Sequence, residues 1–160
     1  MSALTLLTFV CAIGSGLIAG LFFFCSISLM PALGKIPEPA GIAAMQSVNV
    51  VIINGWFMAA FFGTAAASLL AVIAALARWS DPRALFWLIG GALYLIGTIF
   101  VTMRFNVPRN NALAALAPAS PEAIQYWKYY LSSWTAWNHV RTIASLLALA
   151  AFVLAMRARA

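Results

Sequence analysis

The chain has 160 residues, of which 65% are hydrophobic and 8% are charged, and its formal net charge is +6. Soluble domains carry roughly 25% charged residues, so this composition excludes an ordinary soluble protein and indicates an integral membrane protein. The basic residues are scattered along the chain and form no nucleic-acid-binding motif, so the net charge is better explained by membrane anchoring, with no nucleic-acid partner expected.

Four apolar segments are long enough to cross a bilayer as helices, which takes about 20 residues each. Turn residues and charges mark where they end: Pro31 after the first, Ser80-Asp-Pro82 after the second, and Arg104 after the third. The predicted spans cover about residues 3–30, 50–77, 84–103 and 137–156. They predict an all-α fold, a polytopic four-helix transmembrane bundle in which residues 1–160 form a single domain.

The first span lacks the basic start of a signal peptide and is too long to be one, so we expect it to remain in the mature protein. Orientation follows from lysine and arginine, which favour the cytoplasmic side when they lie in short loops. Arg78, Arg83, Arg157 and Arg159 lie in short segments on the side shared by both termini. The opposite side carries Lys35, Arg104, Arg109 and Lys128, but in longer segments, where the rule discriminates least. We therefore expect a multi-pass protein of the cell membrane with both termini in the cytoplasm.

The first outer connection places two amides close to the membrane surface. From Ile42 onward its pattern is helical and runs into the second span, which would put Gln46 and Asn49 on one face. Such amides either contact a ligand or hydrogen-bond to a neighbouring helix, and interhelical amide contacts are common in membranes. The sequence leaves both interpretations open.

The second outer connection, residues 106–136, holds most of the polar side chains of the protein. Pro108 forbids continuation of the third helix and favours an extended residue before it. The sequence therefore predicts that Asn106, Asn110 and Asn111 lie in a turn, within a structured loop between the third and fourth helices.

Ser120, followed by proline and glutamate, is typical of a helix start. We expect this helix to continue into the last span as one long fourth helix, with aromatic side chains recurring along it at steps of three or four residues. Such a stripe is either an interfacial belt or one wall of a ligand cavity. Its members are Tyr126, Tyr130, Trp134, Trp137 and Arg141, and a second stripe holds Asn138, Arg141, Thr142 and Ser145.

Two ionisable residues lie where the fourth helix enters the bilayer. His139 is the only histidine, and a lone histidine is more often structural than a metal ligand. Arg141 lies in an apolar helix of a chain with three acids, so carbonyls, asparagines or an oxygen-rich ligand must accept its hydrogen bonds. Cys11 and Cys25 lie about four turns apart on one helix and cannot form a disulfide. We expect no metal site and no cofactor.

Four segments carry a family resemblance that covers nearly the whole chain. They are Pro31-Ala-Leu33, Gln46 with Asn49, Asn106-Val-Pro-Arg-Asn-Asn-Ala-Leu113, and Trp134-Thr-Ala-Trp-Asn-His-Val-Arg-Thr142. In this order, and with four helices, they resemble the DUF1772, or anthrone oxygenase-like, membrane proteins. The resemblance implies a reaction known for some fungal members, which oxidise an anthrone to an anthraquinone with molecular oxygen and no evident cofactor.

The implied reaction assigns roles to particular residues. Removing a proton from an anthrone needs a base, donors that stabilise the enolate, and a dry pocket. Histidine ordinarily titrates near neutral pH, which makes His139 the candidate base, with Arg141 as the second catalytic residue. The candidate substrate-binding residues are Gln46, Asn49, Asn106, Asn110, Asn111, Tyr130, Trp134, Trp137 and Asn138.

The leading hypothesis is a small membrane oxidoreductase, a cofactor-independent oxygenase acting on a lipophilic aromatic or quinone-like molecule that enters from lipid. The alternative is a non-catalytic binding or scaffold protein whose polar cluster ties the outer loop onto the bundle. A third hypothesis is a haem or copper protein that uses His139 with Met30 or Met103 as soft ligands. Membrane lipid and the small molecule are the expected partners, and a homo-oligomer is compatible with each hypothesis.

Overall fold

Five helices account for most of the chain in the computed structural model, which describes residues 2–158. Four are long and apolar enough to cross a membrane, and the other is a shorter helix between the first two of these. In chain order they are α1 (Ala3–Leu33), α2 (Glu38–Val51), α3 (Gly55–Ala77), α4 (Ala84–Ala114) and α5 (Pro121–Arg157). Residues 2–158 contain no strand, so the prediction of an all-α, four-helix fold is confirmed.

The four long helices form a closed bundle, in which α1 and α4 each pack against both α3 and α5. Several polar side chains in its interior are paired across helices, which spares them the cost of a missing partner where water is absent. The Tyr94 hydroxyl donates to the carbonyl of Phe61 at 3.1 Å, and the Trp87 indole N–H donates to Thr8 Oγ1 at 2.8 Å. These bonds tie α4 to α3 and to α1.

Two prolines lie inside long helices without ending them. Pro31 in α1 and Pro108 in α4 each follow a stretch of wider, π-helical turns, at Cys25–Leu29 and Thr102–Asn106. A proline has no N–H to donate to the preceding turn. A change from the i+4 hydrogen bonds of an α-helix to the i+5 bonds of a π-helix allows the helix to continue past the proline. Both helices continue beyond the proline.

The ends of α1 and α4 that lie away from the chain termini, called here the outer ends, therefore differ from the sequence prediction. Pro31 does not end α1, which continues to Leu33. The residues 106–111 do not form a turn, because Val107–Ala114 is helical and α4 runs on past the predicted end of its span. The polar connection between the third and fourth spans is thus helical over most of its length.

α2 and α3 are separate helices, although the sequence pattern predicted one helix from Ile42 into the second span. α2 ends at Val51, and α3 begins at Gly55 after a short break. The side chain of Asn54 accepts a hydrogen bond from the N–H of Phe57 at 3.1 Å. Asparagine at this position is a preferred helix cap, so it fixes the start of α3.

α5 is one uninterrupted helix of 37 residues, as the sequence predicted. Ser120 caps its start, because the hydroxyl accepts a hydrogen bond from the N–H of Ala123 at 3.1 Å. At 1.5 Å per residue the helix is about 55 Å long, well beyond the hydrocarbon layer of about 30 Å. Its outer third packs on α2 and on the end of α4 through a buried cluster of Ile42, Met45, Leu113, Trp127 and Tyr130.

The turn between α3 and α4 holds the only ion pair within residues 2–158. Oδ2 of Asp81 lies 2.6 Å from Nη2 of Arg83. The hydrogen bonds from Arg83 hold the pKa of Asp81 down at about 2. The other two acids, Glu38 and Glu122, lie in the first turns of α2 and α5. None of the three acids is therefore placed inside the bundle.

Candidate functional site

A cavity of about 400 Å³ lies inside the outer half of the bundle. All four long helices and α2 contribute to its wall, which is mostly apolar and aromatic. A concave, apolar space of a few hundred Å³ with a small number of polar groups is typical of small-molecule sites. The polar residues that line it are Cys25, Asn49, Thr102, Asn110 and Arg141.

Irregular backbone borders this cavity on two sides. The break between α2 and α3 contributes Ile52 and Ile53, and the π-helical stretch before Pro108 contributes Thr102 and Met103. Ile53 is 67% exposed and Met103 is 54% exposed, so the rim of the cavity reaches the outside of the bundle. A lipophilic molecule would therefore have an entrance from the lipid.

Arg141 brings a positive charge to the cavity without an acidic partner. The side chain is 4% exposed, Nη2 donates to Asn138 Oδ1 at 2.6 Å, and Nη1 donates to Thr102 Oγ1 at 3.2 Å. Nε is buried and has no hydrogen-bond partner. A buried charge is costly unless it is paired, so this guanidinium is available to donate a hydrogen bond to an electron-rich oxygen of a ligand.

Two aromatic rings flank the guanidinium of Arg141. Its central carbon lies 4.1 Å from the ring centre of Phe22 and 5.1 Å from that of Trp134. Ring faces attract a cation, and this attraction offsets part of the cost of burying it. The same rings form part of the cavity wall, so a flat aromatic ligand beside Arg141 would find stacking partners.

Asn138 positions Arg141 from behind the cavity wall. Its Nδ2 donates to the carbonyl of Phe22 at 2.6 Å and to Ser26 Oγ at 2.7 Å. Since both amide hydrogens are used on α1, Oδ1 is left to accept from the guanidinium. Asn138 is fully buried, and it joins α1 to α5 while it fixes the direction of Arg141.

The two donors that meet Asn110 determine which way its amide faces. Oδ1 accepts from the Trp134 indole N–H at 2.8 Å and from the Tyr130 hydroxyl at 2.9 Å. An indole N–H only donates, so the atom facing it must be the oxygen. Nδ2 of Asn110 makes no hydrogen bond to residues 2–158, and it is a second free donor on a cavity-lining residue.

Tyr130 links Asn110 to α2. Its hydroxyl donates to Asn110 and accepts from Nδ2 of Asn49 at 3.4 Å. Asn49 also lines the cavity, so α2, α4 and α5 meet at its polar end. The structure thus brings together four of the predicted site residues in the cavity wall, namely Asn49, Asn110, Trp134 and Arg141, with Tyr130 and Asn138 behind them.

The other predicted substrate-binding residues lie outside the cavity wall. Gln46 donates to the carbonyls of Leu113 and Leu116 at 2.8 and 2.9 Å and so fastens α2 to the end of α4. Asn106 is 1% exposed and donates to the Trp134 carbonyl at 3.1 Å.

Trp137 and Asn111 also lie away from the cavity. Trp137 stacks on Phe105 with ring centres 3.6 Å apart and planes 5° apart. Asn111 is exposed.

His139 lies on a different face of α5 from Arg141. Residues two positions apart on a helix do not face the same way. His139 is exposed and lines a groove at the outer surface, where Met30 and Lys35 are among its neighbours, whereas Met103 lines the cavity. The two residues predicted to act together are therefore separated. In the described part of the chain, no three His, Cys, Asp or Glu side chains lie close enough to hold a metal ion.

A family model described as anthrone oxygenase matches residues 56–151, which is more than half of the chain. The chain belongs to the anthrone oxygenase (DUF1772) family. The resemblance inferred from the polar motifs is thereby confirmed. No curated protein and no solved structure is significantly similar to the chain.

The match to the anthrone oxygenase family includes one part of the cavity and leaves out another. Thr102, Asn110, Trp134 and Arg141 lie within the matched residues. α1 and α2 lie outside them, and with them the cavity-lining Asn49.

Several cavity residues were missed by sequence reasoning. Phe22, Phe57 and Phe61 line the cavity but lie in continuous apolar runs, where nothing distinguishes a cavity wall from a lipid-facing surface. Ser26 offered a weak signal, because it is a hydroxyl within an apolar span and it accepts the hydrogen bond from Asn138. Thr102 offered a similar signal near the end of the third predicted span.

Proposed function

We propose that the protein is a membrane oxidoreductase that binds a lipophilic aromatic or quinone-like molecule in this cavity and oxygenates it without a cofactor. The observation that carries the proposal is Arg141, a cation without an acidic partner in a cavity walled by aromatic side chains. Membership of the anthrone oxygenase family supports the class of reaction.

The chemistry proposed for the site begins with an acidic carbon. Loss of a proton from the CH₂ group of an anthrone gives an enolate whose negative charge lies largely on oxygen. The guanidinium of Arg141 stabilises that oxygen, and Nδ2 of Asn110 supplies a second donor. Apolar walls that exclude water strengthen both interactions.

The enolate carbon then reacts with molecular oxygen. A carbon–oxygen bond forms, the oxygen–oxygen bond breaks, and both hydrogens of the CH₂ group leave with the second oxygen atom as water. The products, a quinone and water, balance one anthrone and one O₂, so the reaction needs no further oxidant.

The proposal changes the role given to His139. Because a cation in the cavity favours the enolate over the neutral substrate, the proton leaves to water at the rim of the cavity. His139 is exposed on another face of α5, so it does not act as the base within the cavity.

We also propose that both termini are cytoplasmic and that the cavity lies in the outer half of the cell membrane. Arg78 and Arg83 lie in the short turn between α3 and α4, and Arg157 lies at the end of α5. Arginine in short segments is the strongest indicator of the cytoplasmic side.

Oxygen consumption by the purified protein with an anthrone tests the proposed reaction. Arg141→Gln removes the charge and should lower kcat/KM by about 10²–10³, the usual effect of removing one donor to an oxyanion. Arg141→Lys keeps the charge and should retain more activity than Arg141→Gln. His139→Gln is the control, and it should stay within about twofold of the unchanged protein, because its side chain faces the groove and makes no transition-state contact.

Two results would contradict this proposal. One is loss of turnover in His139→Gln while Arg141→Gln remains active. The other is equal activity in Arg141→Gln, Arg141→Lys and the unchanged protein. Thermal unfolding of each variant shows whether a loss of activity reflects unfolding.

A non-catalytic protein whose polar cluster is structural is the second candidate. Gln46, Asn106 and Asn138 donate to main-chain carbonyls of neighbouring helices, as expected of polar groups that hold outer segments on the bundle. This candidate predicts that no aromatic ligand stays bound through purification and that an anthrone causes no oxygen consumption. Mass spectrometry of the purified protein together with the oxygen measurement distinguishes the two functions.

A further inference from the structure

A groove separate from the cavity runs along the outer ends of α1 and α5, and its volume is about 600 Å³. Pro31, Gly34 and Lys35, at the end of α1, form one wall. The other wall is a face of α5 that extends from Lys128 to His139. The proposed oxygenation uses none of these residues.

Two lysines on opposite walls face this groove without an acid to neutralise them. Lys35 and Lys128 are both exposed, and neither forms an ion pair within residues 2–158. Thr135 and His139 add a hydroxyl and an imidazole further down the same face of α5, and neither side chain hydrogen-bonds to the described residues. The groove therefore offers positive charge and several donors, which fit an anion with several oxygens.

The position of the groove along α5 matches the head-group layer of a bilayer. His139 lies about 27 Å along the helix from Arg157, close to the thickness of the hydrocarbon layer, which is about 30 Å. Thr135 and Lys128 lie about 6 Å and about 16 Å further out. Lysine side chains can bend along a helix toward the membrane surface, so the ammonium group of Lys128 can reach toward the level of Thr135.

An apolar path leads from the groove into the membrane. Ile27 on α1 and Ile143 on α5 lie about one helical turn below Pro31 and His139, and both are 58% exposed. Acyl chains would lie over these side chains while a charged head group occupies the groove. A free phosphate ion would contact the lysines but would make no contact with this apolar surface.

We propose that the groove binds one anionic phospholipid, with its phosphate between Lys35, Lys128 and Thr135 and its acyl chains over Ile27 and Ile143. The positive charge of the two lysines selects the anionic head group, and the groove between α1 and α5 fixes its place. The bound lipid joins the outer ends of these two helices and takes no part in the oxygenation.

Native mass spectrometry of the protein released from bilayers of phosphatidylcholine and phosphatidylglycerol tests this site. The unchanged protein should retain one phosphatidylglycerol in preference to phosphatidylcholine. Each lysine near the membrane surface changes the affinity for anionic lipid by about fivefold. Lys128→Gln should therefore lose part of the phosphatidylglycerol retention. The double variant with Lys35→Gln and Lys128→Gln should lose most of it. Excess inorganic phosphate should not displace the lipid.

Arg104→Gln is the matched control, because it removes an exposed charge near the outer end of α4 and outside the groove. It should retain phosphatidylglycerol as the unchanged protein does. An equal loss in Arg104→Gln and in the double variant would indicate diffuse attraction and overturn the proposal. Displacement by inorganic phosphate, or full retention by the double variant, would overturn it too.

Two further measurements separate this site from folding and from the proposed reaction. The double variant should unfold at the same temperature as the unchanged protein in phosphatidylcholine alone, since no anionic lipid is present to bind either. The thermal stabilisation that phosphatidylglycerol adds should be complete in the unchanged protein and in Arg104→Gln and largely lost in the double variant. Equal stabilisation of all variants by phosphatidylglycerol would contradict a site at Lys35 and Lys128.

Discussion

Arg141 and Asn110 differ from Gln46 and Asn138, two other polar residues at the outer end of the bundle, because they leave donors unused. Gln46 and Asn138 direct their amide hydrogens to carbonyl and hydroxyl oxygens of neighbouring helices. Nε of Arg141 and Nδ2 of Asn110 have no such acceptor, and both residues line the cavity. The sequence alone cannot separate these two groups, because an asparagine that supports a helix and one that faces a ligand are the same residue type.

At the scale of single residues, Asn138→Ala tests whether the hydrogen bond between Asn138 and Arg141 stabilises the bundle. The change removes the acceptor of the Arg141 Nη2 donor and leaves a buried charged group less satisfied. We expect the free energy of unfolding to fall by about 1–3 kcal/mol, the usual cost of an unmade buried hydrogen bond. Thermal or denaturant unfolding in detergent measures the change.

Asn111→Ala is the matched control for that experiment, because the same residue type is exposed on α4. It should change the unfolding free energy by less than about 0.5 kcal/mol. Equal effects of the two substitutions would show that the contact between Asn138 and Arg141 does not stabilise the bundle.

At the scale of helices, the sequence predicted α5 well and the outer end of α4 poorly. The start of α5 depends on Ser120, Pro121 and Glu122, which are neighbours in sequence and act through local hydrogen bonds. Pro108 predicted a turn by an equally local rule, yet π-helical turns before it keep α4 helical. An outer segment packed against neighbouring helices can satisfy its backbone in this way, and that packing is not visible in the sequence.

Gly91 packs closely against α3, and its substitution tests how tightly α4 and α3 pack. A Cβ atom at Gly91 would lie 2.7 Å from the backbone oxygen of Ser68, which cannot move without shifting α3. We expect Gly91→Ala to lower the free energy of unfolding by about 1–3 kcal/mol through this overpacking. Thermal unfolding of the purified protein measures the change.

Gly20→Ala provides the comparison on α1. Apart from the adjacent backbone of its own helix, nothing lies within 4 Å of the position that its Cβ would take. Alanine is the better helix former by up to about 1 kcal/mol, so Gly20→Ala should be neutral or slightly stabilising. If Gly20→Ala lowered stability as much as Gly91→Ala does, the close approach of α4 to α3 would not be the cause.

At the scale of the whole molecule, composition and segment length were sufficient to predict the fold class, because a membrane permits few ways to satisfy the backbone. They were not sufficient to predict which polar residues meet. Whether Arg141 and Asn110 share a cavity depends on the rotation of α4 and α5 about their axes, and the π-helical turns of α4 change that rotation just before Asn110. For the same reason the separation of His139 from Arg141 appeared only in the structure.

The orientation of the bundle is the remaining property of the whole molecule, and it determines from which leaflet a substrate reaches the cavity. The inner turn carries Arg78 and Arg83 in a short segment. The opposite side carries Lys35, Arg104, Arg109 and Lys128, but they lie in longer segments, where lysine and arginine indicate the cytoplasmic side less strongly. The positive-inside rule therefore favours cytoplasmic termini.

The labelling of single introduced cysteines reports this orientation directly, in a protein that also carries Cys11→Ala and Cys25→Ala. Glu122→Cys lies at the exposed start of α5, and Ser80→Cys lies in the exposed turn at the other end of the bundle. A membrane-impermeant maleimide should label Glu122→Cys in intact cells and Ser80→Cys only after the membrane is permeabilised. The reverse pattern would place the termini outside and the cavity in the cytoplasmic half, so its substrate would enter from the inner leaflet.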